Sequence, residues 1–189
     1  MRKIYLVIFL ALLFYNCGGP KNFTYRYEDK NTGLDKLIDI NGYYVSQYKC
    51  NSTFYSMYMF YPNGLFTIAT TSEILPELVD CFENGDQTDI CKYPLWGTYK
   101  VEGDLIKTQV IREEGNKCVI FRDYKILPDG SIMNISDYVQ PEYTNLGYME
   151  NYPSFKENPC SKKADFYPLK SKRNSTACPF LKKKWFRNK

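Results

Sequence analysis

Residues 96–111 (WGTYKVEGDLIKTQVI) alternate between apolar and polar positions in two runs separated by one short break. This period of two is typical of β-strands with one buried face. The break, Glu102-Gly103-Asp104, contains a glycine that can take a positive φ at a three-residue turn. The pattern therefore predicts a half-buried antiparallel hairpin, whose apolar face consists of Tyr99, Val101, Ile106 and Val110.

Two other breaks share one design, Pro62-Asn63-Gly64 and Pro128-Asp129-Gly130, in which proline sets φ and the glycine tolerates a positive φ. Further strands are predicted at 42–49, 54–61, 65–71, 117–127 and 131–138. Seven or eight short antiparallel strands hide their edges most simply by closing, so we predict an all-β, up-and-down barrel of about eight strands. Side chains fill such a barrel, or it holds one small ligand. A two-sheet sandwich is the alternative.

Residues 72–94 interrupt the strands. Pro76 at a first helical turn and Gly85 beyond the end predict a short helix at 76–84. The acids Glu83, Asp86 and Asp89 lack the spacing of a known calcium loop, so we interpret them as a solvated loop and predict no metal site.

The N-terminus has the order of an export signal. Arg2 and Lys3 precede an apolar run of 12 residues, 4–15. That run is too short for a membrane span, which needs about 20 residues, and it suits the core of a signal peptide. We therefore predict a signal peptide at 1–16, a polar tether at 17–37, the barrel at 38–140 and an irregular basic tail at 141–189.

A single cysteine, Cys17, follows the apolar run. It resembles the lipobox cysteine of bacterial lipoproteins, although Phe14, Tyr15 and Asn16 replace that family's leucine and small residues. The resemblance implies that Cys17 becomes the first residue after cleavage and carries fatty acyl chains such as palmitate. The lipid bilayer is then a partner, and the protein is anchored in the cell envelope, facing the periplasm or the cell surface. Ordinary secretion is the alternative.

Cysteine counting agrees with this. Without Cys17 an even number remains, which in an exported chain predicts disulfides of undetermined connectivity. The candidates are Cys50, Cys81, Cys91, Cys118, Cys160 and Cys178.

Composition limits the chemistry. The chain has no histidine, which removes Ser-His-Asp catalysis and histidine zinc sites, and it contains no nucleophile or phosphate-loop motif. We therefore expect a monomeric protein that is not an enzyme, needs no cofactor and binds no nucleic acid.

Charge is distributed unevenly. Residues 160–189 hold ten Lys/Arg and one acid, whereas the rest hold 15 Lys/Arg and 20 acids, so an acidic body has a basic end. The end of this tail, Phe180 to Arg187, could lie on an anionic membrane. A solvated tail that covers part of the body is the alternative.

Four stretches, IDINGYYVSQ (38–47), FYPNGLFTI (60–68), WGTYKVEGDLIKTQ (96–109) and YKILPDGSI (124–132), resemble the lipocalin-like domains of bacterial lipoproteins. The resemblance covers about 38–138 and implies a lipocalin-like barrel. It carries over no ligand or catalytic residue.

Two functions follow as hypotheses. In the first, the barrel binds a small apolar or amphipathic molecule, lined by Arg122, Tyr124 and Tyr99. Arg122 and Tyr124 are similar to the carboxylate clamp of fatty-acid-binding proteins, since an arginine fork holds both carboxylate oxygens. The alternative is that Arg122 faces outward or pairs with an acid of the protein itself. In the second, the protein binds a glycan, an envelope component or a partner protein at its surface. Residues 54–61 have large apolar side chains on both faces, of which only one is expected to be core.

Overall fold

Eight antiparallel strands form a closed barrel in which each pairs with its neighbours in sequence and the last pairs with the first, as seen in a computed structural model. The structure describes residues 19–20, 22–47, 55–71, 76, 79–80, 83, 94–112, 118–139, 163–172 and 174–188. The strands are β1 (Gly42–Gln47), β2 (Tyr55–Phe60), β3 (Leu65–Thr71), β4 (Leu95–Glu102), β5 (Leu105–Arg112), β6 (Cys118–Ile126), β7 (Ile132–Val139) and β8 (Lys163–Pro168). The predicted barrel is confirmed, and the sandwich alternative is excluded.

The predicted turns are present, with one change of length. Gly64 and Gly130 have φ of 86° and 78° in the two proline-containing turns. In the β4–β5 hairpin Glu102 pairs with Leu105, so the turn has two residues rather than the predicted three. Gly103 has φ of 64°, which a residue with a side chain adopts only with strain.

Aromatic side chains fill the barrel interior where the structure describes it. Tyr58, Phe60, Phe66 and Tyr124 are each at most 3% exposed. The ring centroids of Phe60 and Phe66 lie 4.9 Å apart, and those of Tyr58 and Tyr124 lie 5.3 Å apart. Leu34, in a 3-10 turn at Leu34–Lys36, is fully buried in the same cluster.

The outer face of the barrel is also buried over several strands. Met57 and Met59 point away from the interior on β2, yet each is 1% exposed. The expectation that only one face of this stretch is core is therefore wrong. Two segments cover the outer face, which we call the N-terminal segment (22–32) and the C-terminal segment (174–188).

The two covering segments hold each other. Tyr27 and Arg187 form a parallel bridge, in which the Tyr27 amide donates to the Phe186 carbonyl oxygen at 2.8 Å. The Phe186 ring stacks on Phe23 with centroids 5.2 Å apart, and Phe186 is fully buried. Residues that we expected in a polar tether and an irregular tail thus belong to the core.

The eighth strand also differs from the sequence interpretation, which counted all strands within 38–140. β8 lies at 163–168 and closes the gap between β7 and β1. Ala164 and Phe166 face the inner cluster, whereas Lys163 and Asp165 are exposed. Pairing with two neighbouring strands stabilises this short, charged segment as a strand despite its weak intrinsic preference.

Two further predictions are only partly described. Pro76, Val79, Asp80 and Glu83 are helical, whereas the rest of the predicted helix 76–84 lies outside the described residues. Asp86 and Asp89 also lie outside them.

Lys172 attaches the part of the chain that follows β8 to the barrel. Its ammonium donates to the carbonyl oxygens of Ile40 and Phe60 and lies 4.6 Å from the centre of the Tyr61 ring. Burial lowers the pKa of Lys172 to about 8. The C-terminal part of the chain is therefore fixed to the barrel by polar as well as apolar contacts.

Candidate functional site

A buried glutamine attaches the N-terminal segment to the outer face of the β4–β5 hairpin. Gln109 is fully buried on β5, and its Oε1 accepts from the Thr24 amide at 3.0 Å. Its Nε2 donates to the Tyr25 carbonyl oxygen at 2.7 Å and to Thr98 Oγ1 at 3.0 Å. Because all these groups are partnered, the segment crosses the hairpin at a fixed position.

An open cleft of about 430 Å³ lies between this segment and β4. We call it the outer cleft. Its volume falls within the range of small-ligand sites, about 300–1,000 Å³. The walls are Thr24, Tyr25, Arg26, Tyr27, Glu28, Lys30, Asn31, Thr32, Asn63, Gly64, Thr98, Tyr99, Lys100, Val101 and Asn188.

Two tyrosines of the outer cleft are held in place by their neighbours. The Lys100 ammonium lies 4.5 Å from the centre of the half-buried Tyr25 ring. The Tyr27 hydroxyl donates to Asp29 at 2.5 Å and accepts from the Asn63 amide at 2.9 Å. Burial, followed by the hydrogen bond to Asp29, raises the pKa of Tyr27, which is therefore neutral at physiological pH.

Most charges around the outer cleft are paired. Lys30 lies 3.0 Å from Glu28, which also accepts a hydrogen bond from the Asn188 amide. Lys100 lies 2.5 Å from Glu102, and hydrogen bonds from Lys100 and Lys107 lower the pKa of Glu102 to about 2. Because these charges are compensated, a ligand in the cleft would meet mainly aromatic ring faces, amide groups and hydroxyl groups, and little net charge.

Of the three predicted ligand residues, only Tyr99 borders the outer cleft, and Tyr99 also belongs to the same inner cluster as Tyr124. Tyr99 borders the outer cleft, where its hydroxyl lies 2.8 Å from Thr32 Oγ1 and donates to the Tyr61 carbonyl oxygen at 2.7 Å. Burial raises the pKa of Tyr99 to about 12. Tyr124, in contrast, is fully buried among the inner aromatic rings, away from the outer cleft.

Arg122 lies on the inward side of the barrel wall, as Tyr124 does. It is partly buried on β6, two residues from the inward-facing Tyr124 and therefore on the same side of the strand. The strand register places it opposite Thr108 on β5 and opposite Asp137 on β7. By register alone, the neighbouring position on β7 thus carries an acidic residue, as the alternative of an internal acid for Arg122 requires.

Two of the disulfide candidates are free thiols. Cys118 and Cys178 are both buried, and the structure does not support a disulfide at either position. Burial raises the pKa of both thiols, that of Cys178 to about 11, so they are protonated and serve as small apolar core residues. Cys17, Cys50, Cys81, Cys91 and Cys160 lie outside the described residues.

Comparison with protein-family models, with curated proteins and with solved structures finds no match to this chain. Within the described ranges, no helix combines the length and the apolar character needed to cross a membrane. The barrel and the outer cleft are therefore the observations from which a function is inferred.

Proposed function

We propose that this chain is an exported, lipid-anchored and non-catalytic binding protein of the cell envelope, and that its outer cleft binds a neutral, hydroxyl-rich ligand such as a glycan unit. The observation that carries the proposal is the composition of the cleft walls, where tyrosines stand among amides and compensated charges. Tyrosine rings offer large rigid faces to a ligand, and amide side chains both donate and accept hydrogen bonds. Such walls suit sugar hydroxyls and the apolar faces of sugar rings.

The filled interior of the barrel favours a ligand site in the outer cleft over a ligand site within the barrel. Phe60, Phe66 and Tyr124 are packed against one another and at most 1% exposed. A ligand bound in this described part of the barrel would have to displace some of these rings.

Export and anchoring rest on the sequence. The charged N-terminus, the apolar run and Cys17 support a lipoprotein that faces the periplasm or the cell surface, with secretion as the alternative. An eight-stranded barrel is the fold that the resemblance to lipocalin-like lipoproteins implies.

The test compares two tyrosines of the outer surface. Tyr25→Ala removes a ring from the outer cleft, whereas Tyr167→Ala removes a 40% exposed ring from β8, outside the cleft. Binding is measured against an array of cell-envelope polysaccharides, and then by calorimetry with the glycan that binds most tightly. Since tyrosines are frequent binding hot spots, we expect Tyr25→Ala to weaken binding at least about tenfold and Tyr167→Ala to leave it unchanged. Absence of glycan binding, or equal effects of both substitutions, would refute the proposal.

A second candidate function, binding of an amphipathic carboxylate within the barrel, is favoured by the inward position of Arg122 next to Tyr124. Displacement of a fluorescent fatty acid measures it. If Arg122 clamps the carboxylate, Arg122→Lys should weaken binding because lysine lacks the planar fork. Equal binding by the variant and the parent protein would exclude the clamp.

A further inference from the structure

Four basic side chains lie together at the surface of the C-terminal segment. Lys182, Lys183, Lys184 and Arg187 are all exposed, and we call them the basic patch. Their aromatic neighbours are placed differently, since Phe180 is 4% exposed and Phe186 is fully buried. Phe180 and Phe186 belong to the core and Trp185 is partly buried, so the exposed side chains between them are the charged ones.

The basic patch adjoins the start of the described chain. Gly19 lies directly against Trp185, so closely that a Cβ at Gly19 would be 2.2 Å from the indole ring. Phe23 continues this contact, with its ring edge-on to Trp185 at 5.6 Å. Trp185 in turn follows Lys184, so the chain enters the fold beside the basic patch.

Chain length limits how far an anchor at Cys17 can be from the fold. Cys17 precedes Gly19 by two residues in the sequence, and two residues of fully extended chain span at most about 7 Å. Acyl chains on Cys17 would therefore enter a bilayer near Trp185, whose neighbour in sequence is Lys184 of the basic patch.

We propose that the basic patch binds anionic lipid headgroups and holds this face of the barrel on the bilayer at the point where the Cys17 anchor enters. The inference rests on the lipid anchor of the proposed function. Stable attachment is typical of acyl chains combined with a group of basic residues, and each basic residue near an anionic surface adds to the attraction. The anchor limits the distance to the membrane, and the patch sets the orientation.

The experiment measures lysine protection in the full chain. Protein purified from membranes is reconstituted into vesicles of phosphatidylcholine alone or mixed with phosphatidylglycerol. An amine-reactive label is then quantified at each lysine by mass spectrometry. Lys184 should react at least about tenfold more slowly on anionic vesicles, and about 1 M NaCl should abolish the difference because the Debye length falls to about 3 Å. The exposed Lys36 and Lys125 serve as internal references and should not change.

Matched variants test the patch itself. Lys182→Gln/Lys183→Gln keeps Lys184 as the reporter and should lower the ratio of docked to undocked protein about 30-fold. Lys36→Gln/Lys125→Gln removes the same charge from other surfaces and should leave that ratio unchanged. Equal labelling of Lys184 on both kinds of vesicle, or equal effects of the two variants, would overturn the inference.

The lipid anchor is tested separately from the basic patch, because the intact mass of the purified protein shows whether Cys17 is acylated. Salt-sensitive protection of Lys184 in a chain without acyl chains would support the basic patch and refute the anchor. Equal labelling in an acylated chain would refute the basic patch and leave the anchor standing.

Discussion

Truncation of Phe186 tests whether the C-terminal segment is part of the folded core. The ring is fully buried between Phe23, stacked at 5.2 Å, and Phe180, at 5.6 Å, with Tyr27 at 6.0 Å. Phe→Ala changes at such sites cost about 3–5 kcal/mol through lost burial and the cavity that remains. We expect Phe186→Ala to lower the free energy of unfolding by that amount, which corresponds to a Tm lower by about 6–20 °C.

The measurement is urea unfolding followed by circular dichroism, in which a lower midpoint at an unchanged slope reports lost stability. Lys183→Ala is the control, because Lys183 is exposed three residues away and should change stability by less than about 0.5 kcal/mol. A loss below about 1 kcal/mol for Phe186→Ala would show that the segment is not packed on the barrel. It would also refute the placement of the N-terminal segment, which shares this contact.

Three further predictions concern the barrel wall, the support of the outer cleft and the buried lysine. Gly97→Ala should prevent folding, because a Cβ there would lie 1.8 Å from the Gln109 carbonyl oxygen. Gly103→Ala should lower the free energy of unfolding by only about 1–2 kcal/mol, the strain of a left-handed backbone, because no atom lies within 4 Å of the added Cβ. Thermal unfolding compares the two variants. Gln109→Leu should destabilise the protein by about 1–3 kcal/mol, since the Thr24 amide loses its acceptor and the Tyr25 carbonyl oxygen keeps only the Thr98 hydroxyl as a donor. Hydrogen exchange should rise in residues 22–32 but not in β2. The pKa of Lys172 is about 8 in the folded protein, below the ordinary lysine value of 10.5 that applies in the unfolded chain. Between pH 8 and pH 10.5 the unfolded chain therefore binds more protons than the folded protein. The free energy of unfolding should therefore rise by at most about 3 kcal/mol from pH 8 to 10.5 and stay level below pH 8, relative to Lys172→Met; parallel profiles would contradict this.

Local chemistry accounts for the parts of the fold that the sequence predicted. The β4–β5 hairpin follows from alternation and from Gly103, whose positive φ an ordinary residue adopts only at a cost. The turns that contain Gly64 and Gly130 follow in the same way from proline and glycine. These signals act between residues close in sequence, so they are readable without a structure.

The outer cleft was less accessible to sequence reasoning. The interpretation singled out Tyr99, Arg122 and Tyr124, of which only Tyr99 borders the cleft. Gln109 was a weak signal, because a polar residue on the outward face of a predicted hairpin is expected in solvent. Its role depends on Thr24 and Tyr25, about 85 positions away, and no local pattern indicates that contact.

The sequence by itself determined seven of the eight strands, their turns and hence an all-β fold, because period-two burial and positive-φ turns are properties of adjacent residues. Only the tertiary structure decided that β2 is buried on both faces, that 163–168 forms the eighth strand and that Phe23 meets Phe186. From the sequence alone, a polar, charged segment with a lone aromatic residue is interpreted as a solvated tail, because the face of the barrel that the aromatic residue covers is not visible in the sequence. That face forms only when the barrel closes, since it is assembled from strands distant in sequence.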